Sequence, residues 1–419
     1  RFITISVSFL CFTVTLGTAI VTADVVRPAR ELKMSVFKSG LAMSLCAIGL
    51  GIGPLIYAPI SEYYGRKRVY VLSMALYTLC TIPSALATCP EVLLIARAFA
   101  GLFGGAPLTN VGGSIADIWE LDSRGLPMAI LTYFTFAGPV LGPLIGTYVT
   151  DLWGWRAAYW TLVAFSAVSV IMALVVPETL SLPREILTEN GAVKFKNSFA
   201  RPMTHCELFW PQVKLAIVKP FKMLSTEPIL VCMTAYLSLI TVILYYYFFA
   251  YPLIFQNVYG YGNRKVALMF IPIFIGVLPA IGITPLWDRF FRQMVERGSE
   301  ARLIPMIFCA IILPISIFTF AWTSSEELGV LGPSISGVLF GFCVTSIWTS
   351  ANAYLVDSFP GSVASAIAGA TFIRCLSGAT VPMWVFSLLD LTGPRWASSI
   401  LGFITILMIP IPLIFFKSV

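Results

Sequence analysis

Twelve apolar runs, each about as long as a bilayer is thick, constrain this chain more than any other feature. An α-helix rises 1.5 Å per residue, so roughly 20 residues cross a hydrocarbon core of about 30 Å. The runs fall near 2–23, 39–60, 69–88, 92–116, 126–149 and 157–176, then near 229–255, 266–287, 303–322, 331–356, 363–389 and 396–416. In lipid every backbone N–H needs an internal partner, and a helix supplies one within a single segment. A barrel would use strands of about 10 residues with alternating polarity, and these runs are longer and do not alternate. Only 11% of the residues are charged, against roughly 25% in a soluble domain. The sequence therefore predicts an all-α membrane protein of twelve transmembrane helices, embedded in a lipid bilayer.

The first run begins directly after Arg1 and is too long for a signal-peptide core. It is expected to be a retained span, with a leading segment trimmed ahead of it. Six runs, a polar stretch and six more runs read as an internal repeat: an N-terminal bundle at 1–176, a cytoplasmic linker at 177–227 and a C-terminal bundle at 228–419. Repeats of this kind flank a solute path. The cluster Arg66-Lys67-Arg68 and the basic linker place both termini and the linker in the cytoplasm, while the short loops taken together, cluster included, are balanced.

Most of the nine cysteines lie inside apolar runs, no CxxC occurs, and the single histidine is His205. Neither a metal, nor a cofactor, nor a catalytic constellation is expected, so the chain does not read as an enzyme. No nucleic-acid partner is expected, and a monomer is.

Three stretches carry chemistry. Arg97 stands in the fourth run, followed by Gly101, Gly104 and Gly105. A charge inside a span costs about 2.5–3.5 kcal/mol on insertion scales and faces protein or water. Arg97 reads either as a coupling group or as a structural cation satisfied by backbone carbonyls. In the fifth run Gly138, Gly142 and Gly146 recur every four residues, interleaved with Pro139 and Pro143. The glycines make one small face that lets a helix approach closely, and each proline deletes a helix hydrogen bond. Between the second and third runs, Glu62, Gly65 and Arg66 form a charged turn, with Asp117 and Arg124 on the same side. Such charges either pair across helix ends and so gate a path, or form a solvated basic loop.

The stretch from Ser61 to Lys67 resembles motif A of the major facilitator superfamily, in the form seen in fungal twelve-span drug:proton antiporters. Arg97-Ala98-Phe99-Ala100-Gly101 is similar to motif B, and Gly138-Pro139-x-x-Gly142-Pro143 to motif C, the antiporter signature. Gly112–Trp119, Trp155-Arg156, Pro177-Glu178-Thr179 and Asn352–Asp357 also resemble that family. The chain departs from it at Ala58, where Gly is usual, at Glu62, where Asp is usual, and at Tyr245–Pro252, where many relatives carry an acid. The resemblance implies two six-helix bundles about a central cavity. It also implies export of small organic molecules against proton entry, by alternating access, at the plasma membrane or, alternatively, a vacuolar one. Gating and coupling roles are then expected of Glu62, Arg66, Arg97, Asp117, Arg124, Gly138, Pro139, Gly142, Pro143 and Asp357. Proton-coupled uptake, uniport and a non-transporting receptor are the rival readings.

For the cavity itself the candidates are Asp24, Tyr247, Tyr251, Asn352 and Arg374. Asp24 closes the first run and reads equally as a plain helix-end carboxylate. Tyr247 and Tyr251 share a helix face, either toward a solute or in an interfacial belt. Arg374, ahead of Gly378 and Pro382, either faces the cavity and favours anionic or neutral solutes or partners a neighbouring helix.

Overall fold

The computed structural model describes residues 2–119, 125–179, 209–293, 300–325, 329–359 and 362–417. The first half runs α1 (Phe2–Ala19), a 3-10 turn (Ile20–Ala23), a short α2 (Val26–Glu31), α3 (Val36–Tyr64), α4 (Arg66–Ala85), α5 (Pro90–Ile118), α6 (Gly125–Trp153) and α7 (Trp155–Val175). After α8 (Phe209–Thr226) come α9 (Pro228–Asn257), a short α10 (Asn263–Leu268), α11 (Ile271–Gln293), α12 (Ile304–Thr323) and α13 (Leu331–Ser358). The chain ends with α14 (Val363–Ala379), α15 (Val381–Met408) and α16 (Pro410–Lys417).

Local chemistry sets the ends. Ser35 accepts a hydrogen bond from the Lys38 N–H at 3.2 Å and caps α3. Pro90 opens α5, where its missing N–H costs nothing. Gly65 has φ +92° and separates α3 from α4 by a single residue, a conformation closed to most side chains. Gly393, at φ +73°, breaks α15 in the same way. The eleventh span is therefore α14 plus the start of α15, and the twelfth is the remainder of α15 beyond Gly393.

Among the described residues ten helices are long and apolar enough to cross a membrane. The two further spans fall short for visible reasons. The third, α4, begins with three consecutive bases, and the eleventh is interrupted at Thr380. All twelve expected spans are thus present as helices, and Leu72, Leu79, Ile95, Ile171, Leu174 and Leu407 present apolar side chains outward.

One element was not anticipated. The stretch expected as a polar linker contains α8, whose Pro220 and Leu224 lie over Gly369 of α14 and whose Phe221 meets Phe372 edge-on at 5.4 Å. The rest of the linker, with His205, lies outside the described residues. The two halves meet where α3 crosses α14 and the start of α15, with Gly51 opposite Cys375 and Phe372 and Gly40 opposite Pro382. They meet again where α6 reaches Phe274 of α11 through Tyr133, 5.7 Å between rings.

Candidate functional site

The small face of the fifth span lies against the first. A methyl at Gly142 would stand 2.6 Å from the Ala19 Cβ, and one at Gly146 would stand 2.7 Å from the Ile20 carbonyl oxygen. Gly138 faces Thr15, Leu16 and Phe12. Pro139 and Pro143 lie inside this contact and leave the carbonyls one turn back without helix donors. A second close crossing joins α3 to α5. A methyl at Gly49 would be 2.5 Å from the Ala98 oxygen, and Gly53 and Gly105 face each other backbone to backbone.

Arg97 is fully buried beside that crossing. Its Nη2 donates to the Gly17 carbonyl at 2.5 Å, and its guanidinium lies 5.8 Å from the Tyr159 ring centroid. Nε and Nη1 make no hydrogen bond of ordinary geometry with the described residues, and the Tyr77 hydroxyl stands close by as the nearest candidate acceptor. One group from α5 thus ties together α1 and α7 while holding donors in reserve, in a setting where an unmet donor is costly.

At the Arg66 end, the expected charged turn is a built network. Arg66 Nε donates to Asp117 Oδ2 at 2.8 Å, and its Nη1 donates to the Asn110 carbonyl at 3.2 Å. Gly113 leaves room for it, since a methyl there would be 2.6 Å from Nη2. Glu178 Oε1 accepts the Arg66 N–H at 2.9 Å, which places a carboxylate on the positive end of α4. Ser61 donates to Asn110 Oδ1 at 3.0 Å. The side chain of Glu62 and the whole of Arg124 lie outside the described residues.

The second half repeats this pair. Asp357, closing α13, accepts from Arg302 Nε at 3.0 Å. At the opposite end a clasp joins the halves. Asp151 of α6 accepts from Arg264 Nε at 3.3 Å and Asn263 Nδ2 at 3.5 Å across the junction, and from Arg27 Nη2 at 3.4 Å within its own half.

The cavity candidates separate. Asp24 stands in a loop, accepting the N–H groups of Val26 and Arg27 and pairing with the Arg27 side chain at 3.2 Å. Its described partners are thus all local, at the helix end. Tyr247 and Tyr251, each 1% exposed, are inside the second half. Tyr251 stacks on Phe320 at 5.0 Å and Tyr247 meets Phe340 at 4.6 Å. This corrects both expectations, cavity lining and interfacial belt: the face they share packs on α12 and α13. Asn352 is part-exposed and donates to the Trp348 carbonyl at 2.8 Å. Arg374 is part-exposed, with its guanidinium carbon 4.1 Å from the Trp348 ring centroid.

The model of the Major Facilitator Superfamily matches residues 2–382. The chain belongs to that superfamily. It is 36% identical to the MFS-type transporter paaT of Penicillium rubens, over 99% of this chain and 77% of that protein. It is 35% identical to the citrinin biosynthesis cluster MFS transporter mrr1 of Monascus ruber, over 99% and 85%. Among solved structures, the major facilitator proton:xylose symporter XylE matches with TM-score 0.69 at 16% identity, covering 98% of this chain and 94% of that one. The human organic anion transporter MFSD10 matches with TM-score 0.66 at 15% identity, covering 98% and 97%. At those identities the structures speak for the fold. This member of the superfamily is thus a multi-pass membrane transporter, not an enzyme, of twelve-helix fold.

Several residues of the site escape sequence reasoning. Glu178 entered it only within the family-like Pro177-Glu178-Thr179, with no role, although an acid directly after a span faces a helix start that lacks its own cap. Asp151, Arg264, Arg302 and Trp348 had none, since their partners are set by packing between distant segments.

Proposed function

We propose that this transporter exports small organic molecules in exchange for protons, by alternating access between two states of its halves. The observation that carries the reading is the glycine face Gly138–Gly142–Gly146 seated on α1, interleaved with prolines that soften α6 where it packs. A helix that packs closely yet lacks part of its ladder is suited to slide or bend between two arrangements. Arg97, with donors in reserve beside that contact, supplies a group whose partners can change between states. The Arg66–Asp117 and Arg302–Asp357 pairs serve as the gate, and the names of the citrinin-cluster relatives favour small organic metabolites as cargo. Plasma-membrane residence belongs to this proposal, with a vacuolar membrane as its alternative.

A second reading is gradient-independent uniport. It is favoured by one observation: the described carboxylate side chains all stand at helix ends or in loops, with none in mid-span. A proton carrier needs a desolvated carboxyl whose pKa approaches neutrality.

Flux in proteoliposomes with and without a pH gradient separates the two. Antiport predicts accumulation that collapses with the gradient. Arg97→Ala should reduce gradient-driven flux at least ~10-fold, about 1.4 kcal/mol on the barrier, and Arg97→Lys should recover part of it. Flux that ignores the gradient would replace antiport by uniport. Equal losses of solute binding and flux in Arg97→Ala would make Arg97 a solute contact.

A further inference from the structure

Arg374 lies near the middle of the eleventh span, where side chains from both halves converge. Trp348 of α13 lies under its guanidinium at 4.1 Å. Phe136 of α6, from the other half, meets Trp348 edge-on at 5.3 Å. Tyr245 of α9 lies along α14, because a methyl at Gly378 would come within 2.9 Å of its Cε2, and its phenol approaches Thr18 of α1. Tyr133, part-exposed, stands one turn along α6 from Phe136. Five helices thus frame one cation.

That cation is unlike the other one in the spans. Arg97 is sealed and bound to a carbonyl, whereas Arg374 is part-exposed and makes no hydrogen bond or ion pair with the described residues. A guanidinium lying on an indole directs its N–H donors outward in its own plane, away from the ring. No described carboxylate side chain lies in mid-span to balance it. A part-exposed cation in mid-span, with idle donors and one-signed surroundings, favours an anion, and its fork matches a carboxylate bidentately.

We propose that Arg374 binds the carboxylate of an aromatic organic anion, whose ring lies along the wall formed by Trp348, Phe136 and Tyr133. The inference rests on the reading of the chain as a transporter of small organic molecules and names the class of solute. Trp348 is a positioning residue in this site, holding the guanidinium plane, and Asn352, one turn on, adds a polar edge beside it.

The test is equilibrium binding of tritiated 2-naphthoate to the purified full chain in phosphatidylcholine nanodiscs, without any gradient. Competition with 2-naphthamide, 2-naphthylmethylamine and octanoate separates charge from ring. The expected result is saturable binding of 2-naphthoate, with the amide and amine at least ~10-fold weaker for want of a charge-assisted pair, and octanoate weaker for want of a ring. Arg374→Ala should abolish the preference for naphthoate over naphthamide, and Arg374→Lys should keep it in weakened form. Absence of naphthoate binding to monodisperse wild-type protein would overturn the proposal. So would amide binding as tight as the acid, or an unchanged preference in folded Arg374→Ala. The wild-type competition needs no variant, so a misfolded mutant leaves the proposal open to refutation. Because no gradient enters, naphthoate binding without gradient-driven flux would sink proton antiport alone, and the reverse would sink this site alone.

Discussion

The two halves of the molecule share a frame and differ in what fills it. In the first, Gly101 on α5 lies against the Cys46 backbone of α3; in the second, Gly341 on α13 lies against the Ile273 backbone of α11. Sixteen residues beyond each glycine stands an aspartate, Asp117 or Asp357, paired with an arginine that opens the preceding helix (Arg66) or stands just ahead of it (Arg302). Four residues before each glycine the halves part company. The first half has Arg97 there, buried and reaching Gly17. The second has Gly337, beside the Tyr251 hydroxyl and the cluster of Tyr247, Phe320 and Phe340. The repeated parts hold helices together and tie their ends. The unlike parts give the first half a buried cation on a backbone carbonyl and the second a packed aromatic cluster.

The shared frame can be broken directly. Gly101→Leu and Gly341→Leu each force a side chain into a neighbouring backbone, and each should cost about 3 kcal/mol or more. Thermal unfolding and gel filtration of the two purified variants should show matching losses. A half that accepts leucine unharmed would show that its crossing is not the counterpart of the other.

The two matching ion pairs are expected to differ in degree. Arg66 is 11% exposed and Arg302 29%, so Asp117→Asn leaves the more buried cation without its acid. We expect about 1.5 kcal/mol for Asp117→Asn and under about 1 kcal/mol for Asp357→Asn, measured as shifts in melting temperature. The reverse order would mean that the second half carries the stronger latch.

The smallest effect sits at the opposite end of the first half. Glu31 accepts from Trp155 Nε1 at 2.5 Å and from Arg156, and these two hydrogen bonds hold its carboxyl below the ordinary value. Its side chain is half exposed, so Glu31→Gln should cost only about 0.5 kcal/mol. A carboxylate with a depressed folded pKa contributes fully above its unfolded value of about 4.3 and loses that contribution as the pH falls through the lower folded value. The melting-temperature gap between wild type and Glu31→Gln should therefore hold steady from pH about 8 to 5 and close below about 4. A gap that persists in acid would make the contact one of shape and not of charge.

Much of this was legible in the sequence, for physical reasons. Span length is set by bilayer thickness, and the glycine rows of α5 and α6 announce close crossings because side-chain size is written in the residue itself. Arg97 and Arg374 stand out because charge in lipid is rare. What the sequence withheld depends on which neighbour a side chain meets. Tyr247 and Tyr251 share a helix face, but periodicity does not say whether that face looks into a cavity, a lipid interface or a core. Arg374 and Trp348 lie on successive spans with nothing in their spacing to pair them. The helix α8 was hidden in a basic, proline-containing stretch, and its reason to form is the contact with Gly369 and Phe372.

Asp151 has a consequence for how readily the molecule can change shape. It is shared between Arg27, which travels with it, and Arg264 and Asn263, which belong to the other half. Under the proposed alternating access, parting of the halves at that end would leave the aspartate with Arg27. Separation of that kind would forfeit the Arg264 contact and keep the Arg27 contact. Added salt weakens exposed ion pairs and should therefore lower what the loss of the Arg264 contact costs.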